Sequence, residues 1–182
     1  MDFFTQHGGP LALQAVDGTK EGSGAEIELN DAAWSRGDVC QIGDPDTAEI
    51  TGSSPWTIDG PFGHGAIPND AANEADNAFF GVVTDTSVLE DADGHVFVKG
   101  ICLANVAVNA TEVLTFGQAL YATENETFLL TAANPTISSG TMAGTYATVR
   151  LVATMMETVA DPEDNELNLV RVLFNGIPPH LG

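Results

Sequence analysis

The sequence predicts an all-β fold, a compact β-barrel or β-sandwich with an extended N-terminal arm and one or two short helices. Three observations lead there. Strand-length apolar segments recur every ~8–12 residues between turn signals in the second half of the chain. Apolar residues make up 43% of the 182 positions, enough to bury the core of one domain. Residues 1–25, by contrast, are broken by Gly8, Gly9, Gly18, Gly22 and Gly24. They read as the arm, and 26–182 as the β-domain. Ordering so much glycine costs backbone entropy. The arm's apolar side chains, Phe3, Phe4, Leu11, Leu13 and Val16, offset that cost only by packing on another surface. They are therefore candidate interface residues; the surface could be the chain's own β-domain or a neighbouring subunit, and the reach that the glycines give favours the neighbour.

The elements follow in order. Glu26 to Leu29 alternates as a strand does, Asp31 to Trp34 suits one helical turn, and Asp38 to Ile42 is a short strand after an Arg36-Gly37 turn. Residues 43–70 hold Pro45, Pro55, Pro61 and Pro68 among four glycines after Gly43, too many breaks for a central strand. This reads as a long loop excursion, and its Trp56 and Phe62 join the candidate interface. Asp70 to Asp76, capped by Asn69 or Asp70, is the best short helix. Strands are then expected at 78–84, 95–103, 106–108, 113–116, 118–121, 128–130, 147–155 and 167–174, with a turn at Asp91-Ala92-Asp93-Gly94. Phe80, Val82, Val96, Val98, Leu103, Val149, Leu151, Val170 and Val172 are the expected core, placed within 78–174. Both faces of 167–174 are largely apolar, which suits a central or covered strand.

Charge narrows the function. Five Lys+Arg face 26 Asp+Glu, a formal net charge of −21. Nucleic-acid affinity comes from basic side chains that displace counterions from phosphate, so nucleic acid is not an expected partner. Nor is an anionic membrane surface. No apolar run reaches the ~18–20 residues of a spanning helix, and the Met1-Asp2-Phe3-Phe4 start does not read as a secretory signal. Cys40 and Cys102 are expected to be buried thiols.

No catalytic constellation emerges. His7, His64, His95 and His180 lack zinc-ligand spacing, and the serines have no nucleophile elbow. No metal, no cofactor and no enzymatic activity are expected. The acidic runs Asp44-Pro45-Asp46, Asp91-Ala92-Asp93 and Asp161-Pro162-Glu163-Asp164 read as solvated turns rather than calcium loops. Arg36-Gly37-Asp38 matches the cell-adhesion tripeptide by letter, but by position it is a turn feeding a strand. Lys99, Arg150 and Arg171 lie within strands, where each is expected to meet a carboxylate.

Five pieces in order carry a resemblance. They are Arg36-Gly37-Asp38-Val39, Phe80-Gly81-Val82-Val83, Gly94-His95-Val96-Phe97-Val98-Lys99-Gly100-Ile101, Gly117-Gln118-Ala119-Leu120-Tyr121 and Thr148-Val149-Arg150-Leu151-Val152. Over residues 36–154 the run resembles the small capsid decoration, or cement, proteins of tailed bacteriophages. The 43–70 excursion and a last strand followed by Gly176-Ile177-Pro178-Pro179 depart from that pattern. The resemblance implies a compact β-domain behind an extended N-terminal segment, with a tulip-like sheet, a jelly roll and a small barrel all open, and no catalytic residues. It also implies a homotrimer made in the host cytoplasm, which binds the major capsid protein on the outer virion surface and stabilises the joints between its subunits. Alternatives are another virion β-module, such as a head-fibre base or receptor-binding module, or a carbohydrate-binding β-sandwich that stacks sugars on Trp34, Trp56 and Tyr121.

Overall fold

A computed structural model describes residues 22–29, 32–42, 64–68, 79–90, 92–109, 112–132, 135–137, 140–146, 148–162 and 166–177. The regular structure among them is all β, with no helix. In chain order the strands are β1 (Gly22–Leu29), β2 (Trp34–Ser35), β3 (Val39–Ile42), β4 (His64–Ala66), β5 (Phe79–Val83), β6 (Ser87–Val88), β7 (Ala92–Ala107), β8 (Ala119–Thr123), β9 (Leu129–Leu130), β10 (Thr136–Ile137), β11 (Gly144–Thr145), β12 (Thr148–Met155) and β13 (Leu167–Asn175).

Nine of these form one sheet in the order β1-β4-β3-β5-β7-β13-β12-β8-β9. The sheet closes on itself through β7. Parallel pairing of Val106 and Ala107 with Leu129 and Leu130 joins β7 to β9, so that β7, β13, β12, β8 and β9 make a closed five-stranded barrel. Antiparallel pairing of β1 with β7 closes a second circuit through β4, β3 and β5. Closure removes free sheet edges. β7 serves both circuits because it is sixteen residues long, one strand where the sequence suggests two. The transfer falls at Gly100, where Gly22 pairs on one side and Phe174 on the other. Gly100 takes φ 125°, a conformation open mainly to glycine.

Two apolar cores match the two circuits. Ala104, Val106, Leu120, Leu129, Val152, Val170, Val172 and Phe174 fill the barrel. Leu29, Trp34, Val83, Val88, Val96 and Val98 form the second core. Strands β3 and β5 lie between them: Val39, Phe80 and Val82 face the barrel, and Cys40, Ile42 and Val83 face the other way. Burial on both faces accounts for the unbroken apolar run of β5, while in β3 Gln41 is the one buried polar residue. A third cluster, Ala107, Phe128, Leu130 and Ile137, packs against Met142 and Tyr146 beside the β10–β11 hairpin.

Several expectations are corrected. The first strand begins at Gly22, inside the span read as arm, because Gly22 to Ala25 find partners on β7. Residues 64–66, inside the excursion, form a strand that bridges β1 and β3. Trp34 is a strand residue paired with Val88, not part of a helical turn. Asp93 and Gly94 belong to β7, and the turn before it is closed by the Ala92 N–H on the Leu89 carbonyl. Of 113–116, only Leu114 pairs, in an isolated bridge with Val159. The core extends upstream of residue 78 to Leu29.

Phe80, Val82, Val96, Val98, Val170 and Val172 are buried as expected, while Leu103 is half-buried and Leu151 is 52% exposed. The inversion at Leu151 has a local cause. The pairing of β12 with β8 slips between Leu151 and Ala153, so Val152 and Ala153 both turn inward and Leu151 turns out. Arg150 then points inward instead. Its guanidinium donates from Nη2 to the Gly176 carbonyl at 2.8 Å and lies 5.0 Å from the Phe80 ring centroid. The Val149 side chain and the helix expected at 70–76 lie outside the described residues.

Candidate interaction surface

The interface residues read from the sequence, Phe3, Phe4, Leu11, Leu13, Val16, Trp56 and Phe62, lie outside the described residues. What the structure presents is a second set, on the outer face of the barrel. Strand β13 runs between β7 and β12, and its side chains alternate strictly. Val170, Val172 and Phe174 enter the core, while Leu167, Leu169, Arg171, Leu173 and Asn175 face out. Leu169 and Leu173 are each 46% exposed. Cross-strand partners in an antiparallel pair share a face. Ile101, Leu103 and Lys99 of β7, opposite Leu173, Arg171 and Asn175, therefore extend this surface on one side. Thr154, opposite Leu173, and exposed Leu151 extend it on the other.

The cations are concentrated here. Among the described residues, Lys99 and Arg171 are the exposed ones, and both lie on this face; Arg150 is buried and Arg36 half-buried. Glu157 steadies Arg171 by accepting its backbone N–H at 2.6 Å, with the guanidinium 4.0 Å away. The expected ion pairing holds for Arg171, and Arg150 meets the Gly176 carbonyl and the Phe80 ring.

Two turns display further apolar side chains. Leu89, 73% exposed, caps the turn into β7 beside exposed Glu90 and Asp93. Phe116, 62% exposed, sits on a turn held by four bonds. Gln118 N–H donates to the Thr115 carbonyl, Thr115 N–H to Gln118 Oε1, Phe116 N–H to Thr158 Oγ1 and Gly117 N–H to the Met155 carbonyl.

Asp38, in the adhesion-like tripeptide, is 9% exposed and accepts bonds from Ser35 N–H and Asn105 Nδ2. Burial pushes its carboxyl up and those two bonds oppose the shift. The carboxylate is thus committed within the fold rather than displayed. Trp34 is 1% exposed and Tyr121 half-buried, so Trp34 offers no platform for a sugar ring. His95 Nδ1 lies 3.2 Å from Asp85 Oδ2. Among the described residues, no three His, Cys, Asp or Glu side chains converge as metal ligands.

A polar cleft of about 390 Å³ lies between residues 124–126 and 143–146. Burial raises the Glu126 carboxyl, and burial together with Glu126 raises the Tyr146 phenol. Tyr146 donates its hydroxyl to the Met142 carbonyl and sets its ring edge-on to Phe128. The aromatic ring therefore supports the hairpin.

No family model, curated protein or solved structure matches this chain.

Proposed function

We propose that this protein is a structural, non-enzymatic capsid decoration protein of a tailed bacteriophage. It binds the outside of the shell, bridges joints between major capsid subunits and acts as a homotrimer. The order of the five sequence pieces suggested this role. The observation that carries it is the outward row of leucines on a closed barrel. Sheet-borne apolar side chains, exposed at 46–52%, suit adhesion to another protein surface. The strong acidity suits a molecule on the outer side of the shell, away from packaged DNA.

The test is direct. Purified protein is added to empty capsids that lack it, and the pellet is assayed after sedimentation. Saturable co-sedimentation, ordered density at the joints by electron microscopy and a higher capsid rupture temperature are expected. Light scattering should give three times the 19.0 kDa chain mass. Absence of capsid binding at saturating protein would refute the role. Turnover of a glycan, peptide or phosphoester substrate that a single carboxylate substitution abolishes would refute the non-enzymatic reading.

A further inference from the structure

We propose that the leucine-and-cation face of β13 and its neighbours is the docking site for a second copy of this chain, entered by that copy's Leu89 turn. The contact rests on, and makes specific, the trimeric assembly proposed above. Two patches on one chain complement each other. The first is Leu169 and Leu173 with Lys99 and Arg171 on the same outward face. The second is Leu89 with Glu90 and Asp93 at its flanks.

Charge selects the partner. At a net charge of −21, unlike chains aside, two copies repel unless their contact brings opposite signs together. Both exposed cations among the described residues lie on the β13 face, so this is where an acidic surface is accepted. The Leu89 turn meets the other requirement, an apolar side chain 73% exposed to enter between the leucines. A contact between two different patches is heterologous, which closes into a ring when the rotation permits and is the symmetry of a trimer. Backbone pairing of β13 on both sides holds the acceptor face rigid.

The experiment is light scattering of the full chain and of four variants, each checked by circular dichroism for an intact β spectrum. Leu173→Asp and Leu89→Asp, on the two patches, should each raise the dissociation midpoint concentration at least tenfold. Arg171→Glu should do the same, and combining it with Glu90→Lys should restore assembly to within about threefold of the parent. That reciprocal rescue is not expected of general destabilisation, because each substituted side chain is exposed. An oligomer indifferent to Leu173→Asp or Leu89→Asp, or a charge swap that restores nothing, overturns this contact and leaves the decoration role standing. A parent chain that is monomeric at all concentrations overturns both the contact and the trimer, and capsid co-sedimentation then decides the decoration role separately.

Discussion

Gly176 and Arg150 show how single residues seal the barrel. Gly176 donates its N–H to Val98 and accepts from Phe80 N–H and Arg150, which joins the end of β13 to β5, β7 and β12. A β-carbon built at Gly176 would overlap the Phe80 carbonyl, a backbone atom that has no rotamer to yield. Gly176→Ala is therefore expected to cost on the order of 1–3 kcal/mol through overpacking; a urea midpoint equal to the parent's would show that the strand end relaxes freely. Gln41 offers the opposite sign. Its side chain is 2% exposed, and its Oε1 accepts no hydrogen bond from the described residues. An unsatisfied buried acceptor costs about 1–3 kcal/mol, so Gln41→Leu should raise the thermal midpoint in calorimetry. Neither residue stood out in the sequence. The atoms that crowd Gly176 come from a distant strand, which local sequence does not announce.

At the scale of the element, β13 tests the alternation directly. Phe174 is 0% exposed and Leu173 is 46% exposed, one residue apart. Phe174→Ala should cost about 3–5 kcal/mol, while Leu173→Ala should stay within about 0.5 kcal/mol in the isolated chain. Equal costs would mean that the outward face is covered within the same molecule. β12 carries a sharper version. Period-two reading places Leu151 with the core, and the bulge reverses it, so Leu151→Ala is expected to be near neutral where Val152→Ala is costly. A bulge is decided by the partner strand's register, which local sequence does not announce. The sequence did indicate that β13 is central, since both faces read as apolar. Its outer leucines remained unassigned until the strand's neighbours were known.

The whole molecule is governed by charge and by what it buries. Cys40 is buried and Cys102, expected from the sequence to be buried too, is half-buried; desolvation pushes both thiols up from an ordinary 9.0 to about 12. A group whose pKa is raised on folding contributes stability below its unfolded pKa and loses it as pH rises through the folded one. The thiol contribution is thus full below pH 9.0 and lost progressively towards about pH 12. Denaturation midpoints followed across that range should fall, and the Cys40→Ala/Cys102→Ala variant should fall less steeply. An identical slope would assign the alkaline loss to other groups. Asp38 and Glu126, raised by burial, act with the same sign at lower pH: their contribution grows as pH drops through the carboxylate range. Partial protonation also relieves the repulsion of −21 charges. The thermal midpoint is therefore expected to be higher at about pH 5 than at about pH 7.5, with the gap narrowed by salt as screening removes the long-range part.

Composition and periodicity by themselves determined the all-β class, most strand positions after residue 78, and six of the nine expected core residues: Phe80, Val82, Val96, Val98, Val170 and Val172. These follow from local rules, because a two-residue repeat and a glycine turn are written in neighbouring positions. Only the tertiary structure decided that β7 is one strand shared by two circuits, that Leu151 faces out, that Gly37 and Asp38 are buried, and that the exposed cations sit among leucines. Each depends on which distant segments pair and in what register. Val106 meets Leu129 and Gly22 meets Gly100 through closure of the sheet, and closure is a property of the whole chain's hydrogen bonding rather than of any window along it.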